Sequence, residues 1–206
     1  MPASRHSGAR RPTRARNDSH VRSAVPAGRD HAASAAEHTR GNMSGSIAAR
    51  SRTVSVHSGA GGTAGEIGHL SVDPRGRACP RGQRGCIETL AAGWAIAERW
   101  GRASAHPARE VFAAVGDPRA AAIRDDVVRG VAAAVRALAL AVDPVAVVLG
   151  GGVSRVGEPL LDAVRAELRT SAVASPFLSS LRLEDRIERL PPGARPGALG
   201  AALLAD

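Results

Sequence analysis

Between Gly116 and Arg169 the order of local signals leaves few folds open. "GDPRAAAIRDDVVRGVAAAVRALALAVDP" (116–144) reads as one long helix. Asp117 suits the N-cap, and Pro118 falls at the first helical position, where its missing N–H costs nothing. Val127, Val131, Val135, Leu138 and Val142 recur at spacings of three and four, which predicts a buried stripe. Asp143-Pro144 ends the helix. "VAVVLGGGVSRVGEPLLDAVRAELR" (145–169) follows at once, with a β-branched run for a buried strand, a glycine cluster for a tight turn, and amphipathic helix from Glu158. Helix, strand, glycine turn and helix in that order predict an α/β fold, with helices covering a partly parallel sheet.

The flanks add shorter elements. "GAGGTAGEIGHLSV" (59–72) reads as loop and glycine turn, then a short strand ending at Asp73-Pro74. Residues 73–86 are dense in Pro, Gly and Arg, which marks a loop with several tight turns. "IETLAAGWAIAERWG" (87–101) reads as helix broken near Gly93, with Leu90, Trp94 and Ala97 on a shared face and Gly101 as its stop. "RIERLP" (186–191) reads as a strand and "GALGAALLA" (197–205) as a closing helix.

The N-terminal part is different in kind. The chain carries a net charge of +9, but residues 1–60 hold ten arginines against Asp18, Asp30 and Glu37, and so supply +7 of it. They contain no Leu, Phe, Trp or Tyr. Such a segment cannot bury enough apolar surface to offset the entropy of ordering its backbone. We therefore expect a disordered basic segment over 1–45 and a folded domain over 59–206. The arginines lie among Ser, Ala, His and Gly without interleaved aromatics or a helix-turn-helix pattern, so specific nucleic-acid binding is not expected. No apolar run approaches the roughly 20 residues that span a bilayer, and two cysteines are too few for a disulfide framework. The expected location is the cytoplasm.

Three constellations could carry chemistry. In "LGGGVSRVG" (149–157) glycines between strand and helix let backbone amides approach a nucleotide, although the pattern is neither the Walker motif nor the dinucleotide fingerprint, and a purely structural turn competes. His69, Cys79 and Cys86 are donors that suit tetrahedral zinc, but they are three where a closed site needs four; two small buried cysteines are the alternative. Glu66, His69 and Glu88 could grip sugar hydroxyls, because each hydroxyl both donates and accepts; solvated loop charges are the alternative.

Taken together, "GGTAGEIGHLSVDPRGRACPRGQRGCIETLAAG", "GD", "DPVAVVLGGGVSRVG" and "GALGAALLA", in that order, resemble the ROK family of bacterial glucokinases, related sugar kinases and sugar-responsive transcriptional repressors. The resemblance covers residues 59–206. It implies the C-terminal lobe of an actin-like ATPase (ribonuclease H-like) sugar-kinase fold. It also implies that Glu66, His69 and Glu88 line the sugar site, and that His69, Cys79 and Cys86 are three of four Zn2+ ligands. The fourth ligand position of the family is here Arg81. Gly150, Gly151, Gly152, Val153 and Gly157 match the loop that contacts the adenosine of ATP, which the family uses with Mg2+.

The implied reaction is ATP-dependent phosphorylation of glucose or a related hexose at its 6-hydroxyl, in a homo-oligomer. The implied alternative is the sugar-sensing part of a repressor. Against the family pattern, neither phosphate loop of the N-terminal half is matched. Asp30 stands one position out of register with the catalytic base, where Arg29 sits, so no catalytic residue is assigned and little turnover is expected of this chain alone. A truncated or frame-shifted N-terminal half is the expected origin of residues 1–58.

Overall fold

The computed structural model describes residues 59–191 together with Gly193 and Ala194. The segment 1–45, with Asp30, and the closing helix expected at 197–205 lie outside the described residues. In chain order the helices are α1 (Ile87–Ala91), α2 (Gly93–Trp100), α3 (Pro107–Ala113), α4 (Pro118–Val142), α5 (Gly151–Ser154), α6 (Glu158–Ala172) and α7 (Pro176–Ser180). Strand β1 (Val147–Leu149) lies between α4 and α5, and β2 (Ile187–Arg189) follows α7.

Helix α4 organises the rest, packing against α1, α2, α3 and α6. Its start follows from the sequence: Asp117 Oδ1 accepts from the backbone N–H of Arg119 at 2.8 Å and of Ala120 at 3.1 Å. Its end is Asp143, held at φ 42° and bound through Oδ1 to Arg186 Nη1 at 2.6 Å. The buried face is not the expected valine stripe. Val127 and Val135 are buried, but Val131 and Leu138 are only half-buried and Val142 is exposed. Ala120, Ile123, Ala132 and Ala139 take their places. Helices on several sides of α4 come close where its side chains are small: a Cβ on Gly130 would lie 2.9 Å from Leu90 Cβ.

The helix expected over 87–101 breaks at Ala92, whose ψ of 146° is extended, and resumes at Gly93. Gly101 terminates it with φ 66°. The buried residues are Ile87 and Thr89 in α1 and Ala95, Ile96 and Trp100 in α2 rather than the expected face, and Trp94 is exposed. Trp100 sits in the core with Val111, Ile123 and Val127, and its indole N–H donates to Glu110 Oε2 at 3.0 Å. A buried indole needs such a partner.

β1 and β2 pair in parallel, with Val147 opposite Ile187 and Leu149 opposite Arg189. The parallel pair agrees with the expected sheet type, but β1 is not a buried strand: Val148 is 51% exposed. Ile187 faces the core beside Leu160, Leu161 and Val164. The strand expected before Asp73 is reduced to a single antiparallel bridge between Ser71 and Cys86, preceded by a 3-10 turn at Ile67–His69.

Candidate functional site

Residues 68–88 form a small hairpin-like ladder rather than a slack loop. Val72 N–H donates to Gly85 O at 2.9 Å, Gly85 N–H to Arg77 O at 2.8 Å, Cys79 N–H to Gln83 O at 2.7 Å and Ile87 N–H to Leu70 O at 3.0 Å. Gly85 makes this possible. It adopts φ 68°, and a Cβ there would lie 1.6 Å from the Asp73 carbonyl oxygen. The ladder folds Cys79 and Cys86 inward together and delivers the chain directly into α1, so Glu88 enters in the first helical turn.

The side chains His69, Cys79, Cys86 and Glu88 therefore converge, with one donor atom from each lying within 4.8 Å of the others. His69 Nδ1 stands 3.2 Å from Glu88 Oε1, and His69 Nε2 stands 3.8 Å from Glu66 Oε2. Both cysteines are unpaired thiols at 5% and 0% exposure. Gln83 ties the cluster together, its Nε2 donating to His69 O at 2.7 Å and to Cys86 Sγ at 3.4 Å. Burial, reinforced by the adjacent Cys79, pushes the Cys86 thiol up to about 11. Arg81 is exposed on the outer turn of the ladder, where Gly82 N–H donates to Cys79 O at 2.9 Å.

An imidazole, two sulfurs and a carboxylate on a short span fit a tetrahedral zinc-type cation, whose ligands are N, S and O of these kinds. The structure brings together His69, Cys79 and Cys86, the three residues that the sequence offers as zinc ligands. Glu88, expected from the sequence as a sugar contact alone, joins them. The available signal is the spacing: Glu88 lies two residues after Cys86, at a helix start.

At the second candidate site, the glycines of 150–157 differ in what holds them as glycine. A Cβ on Gly150 would meet Leu190 Cδ1 at 2.7 Å, so a larger residue there would make the Leu190 side chain shift. Gly151 and Gly157 adopt φ 81° and 86°, a region that side chains disfavour. Gly152 has neither constraint and opens on empty space, as does Gly151. Val153 lies in α5, the short helix into which the expected tight turn folds.

Asp126 on α4 was not foreseen. It binds Arg77 of the ladder at 3.0 Å and Arg99 of α2 at 2.5 Å, and also pairs with Arg129. Burial works against its charge, but the guanidiniums of Arg77, Arg129 and Arg99 outweigh it and hold the carboxyl below the usual carboxylate range. Arg99 in turn donates to Leu90 O at 2.5 Å. One carboxylate thus fixes the ladder and both halves of the broken helix to α4. Apart from Arg129, its partners lie 27 and 49 residues away, beyond any local spacing signal.

The ROK family model matches residues 52–206. Glucokinase of Thermotoga maritima is 35% identical over 128 residues, which is 53% of this chain and 40% of that protein. N-acetylmannosamine kinase of Citrobacter koseri is 33% identical over 151 residues, 72% of this chain and 49% of that protein. The ROK hexokinase from Thermus thermophilus superposes with a TM-score of 0.54 at 37% identity, covering 72% of this chain and 49% of that one. The chain spans about half or less of the length of these relatives. The described α/β elements accordingly follow the actin-like ATPase fold of such kinases. The motifs, the fold and the match over 52–206 lead to one conclusion: the chain belongs to the ROK family.

Proposed function

We infer that this chain is the sugar- and nucleotide-binding lobe of a ROK sugar kinase, acting in the cytoplasm on glucose or a related hexose. The observation that carries the reading is the His69 imidazole set between the carboxylates of Glu66 and Glu88. A sugar hydroxyl can donate to a carboxylate while accepting from an imidazole N–H, so neighbouring hydroxyls can be held by alternating partners. These side chains keep 34%, 28% and 20% exposure at Glu66, His69 and Glu88, as the wall of a cleft requires. Similarity to N-acetylmannosamine kinases supports N-acetylmannosamine, beside glucose, as a candidate substrate.

Gly151, Gly152 and Val153 would hold the adenosine side of Mg·ATP, since the space over the two glycines is open. Mg·ATP supplies the phosphoryl group; the residues described here position and orient. Phosphoryl transfer depends on such positioning and on charge stabilisation from both walls of a cleft. No described residue is assigned as the base that accepts the sugar hydroxyl proton. Self-association through further copies of the chain belongs to the same reading, and no helix among the described residues is long and apolar enough to cross a membrane.

Saturation-transfer NMR of the purified chain with glucose and with N-acetylmannosamine tests the reading. Transfer to at least one of the two sugars, lost in Glu66→Gln, is expected. No transfer to either would overturn it.

A further inference from the structure

We propose that Glu88 is the fourth ligand of a zinc-type divalent cation, completing a site with His69, Cys79 and Cys86 and standing in for the donor that Arg81 does not supply. Two buried polar atoms motivate this. His69 Nδ1 and Glu88 Oε1 are both buried and both lack a hydrogen-bond partner, although they lie 3.2 Å apart. Buried polar atoms are almost always satisfied, and two facing orphans ask for something between or beside them. A cation satisfies both at once, because each can offer it a lone pair.

The sulfurs point the same way. Cys79 and Cys86 are nine-tenths or more buried, unbridged, and turned to the same centre. With zinc–sulfur and zinc–nitrogen or zinc–oxygen bonds of about 2.3 and 2.0 Å, ligand atoms around a tetrahedral ion sit roughly 3.3–3.8 Å apart. The present limit of 4.8 Å needs only a small contraction of the cluster. Two thiolates select against magnesium and calcium, which take oxygen ligands. The geometry also explains how the chain tolerates Arg81. That side chain lies on the exposed outer turn, while the ladder and α1 bring Glu88 in from the opposite end of the loop. The site does not depend on the sugar reading.

The test uses the full chain, reduced and stripped of metal by a chelator, titrated with cobalt(II) and then with zinc(II) in competition. One equivalent of cobalt is expected, with tetrahedral d–d bands and thiolate charge transfer. Loss of an outer hydrogen bond to a metal ligand already costs up to about 100-fold in affinity, so Glu88→Ala is expected to weaken binding by about 100-fold or more and to shift the d–d bands. Glu88→Gln, which keeps the packing, is expected to move both readouts in the same direction and decides the matter if the alanine variant does not fold. Arg81→Cys in the Glu88→Ala background is expected to restore affinity with added thiolate charge transfer. Stoichiometric binding by Glu88→Ala or Glu88→Gln with the parent's affinity and spectrum would overturn the assignment. So would a parent chain that binds neither metal.

Discussion

Glu88 is asked to serve two sites with one side chain. A carboxylate has two oxygens, and Oε1 is the one turned to His69 Nδ1 inside the cluster. Metal on that side would fix the orientation of the carboxylate, and of the imidazole beside it, toward a sugar. Removing the metal would free both to rotate. We therefore expect chelation to weaken hexose binding by about tenfold, the lower end of what outer-shell disruption costs a site of this kind. Titrating the sugar before and after chelator treatment checks this, and an unchanged affinity would show that the two sites are uncoupled. At this scale the sequence was informative about residue identity and weak about direction. His69, Cys79, Cys86, Glu66 and Glu88 were all legible as donors. That Glu88 turns into the cysteine cluster follows from α1 beginning immediately after Cys86, a junction set by the hydrogen-bond ladder and not by composition.

At the scale of elements, α4 is the part that sequence reasoning reads best, for a physical reason. Its N-cap, its Pro at the first position and its Asp-Pro exit are local signals, independent of what packs against it. Which face it buries is not local. Searching for large apolar residues favoured Val131 and Val142, whereas contact with several helices selected Ala120, Ala132 and Ala139, which allow close approach. The Asp126 node is invisible to pattern for the same reason, since its meaning comes from Arg77 and Arg99 in other elements.

Asp126→Asn leaves the largely buried Arg99 guanidinium without its charge partner. Breaking a buried pair in this way costs about 3 kcal/mol, measurable by urea denaturation. Because the Asp126 carboxyl is held below its ordinary value, its contribution is complete above about pH 4. It is lost as the pH falls through the lower folded value. The parent should therefore lose stability below about pH 4 by a step that the Asn variant lacks. Equal stability of the two proteins at pH 7 would contradict the role given to this node.

For the whole molecule, the proposed reading makes the described residues one wall of a sugar site. Val148 in β1 and Val145 just before it are exposed, and the chain spans about half or less of the length of the relatives it matches. The class was legible in the succession of helix, β-branched strand, glycine turn and helix, and the parallel pairing of β1 with β2 agrees with it. The extent of the sheet was not, because strand burial depends on neighbours that the local sequence does not specify. The central claim is that a hexose-binding wall, built on Glu66, His69 and Glu88, persists in this chain. The most direct measurement is calorimetric titration of the zinc-supplemented chain with glucose and, separately, with N-acetylmannosamine, alongside a Glu66→Gln variant. The account predicts saturable binding of one of these sugars by the parent, weakened at least about tenfold in Glu66→Gln by loss of a charge-assisted hydrogen bond. Heats indistinguishable from dilution for both sugars, in a parent shown to be folded, would contradict it.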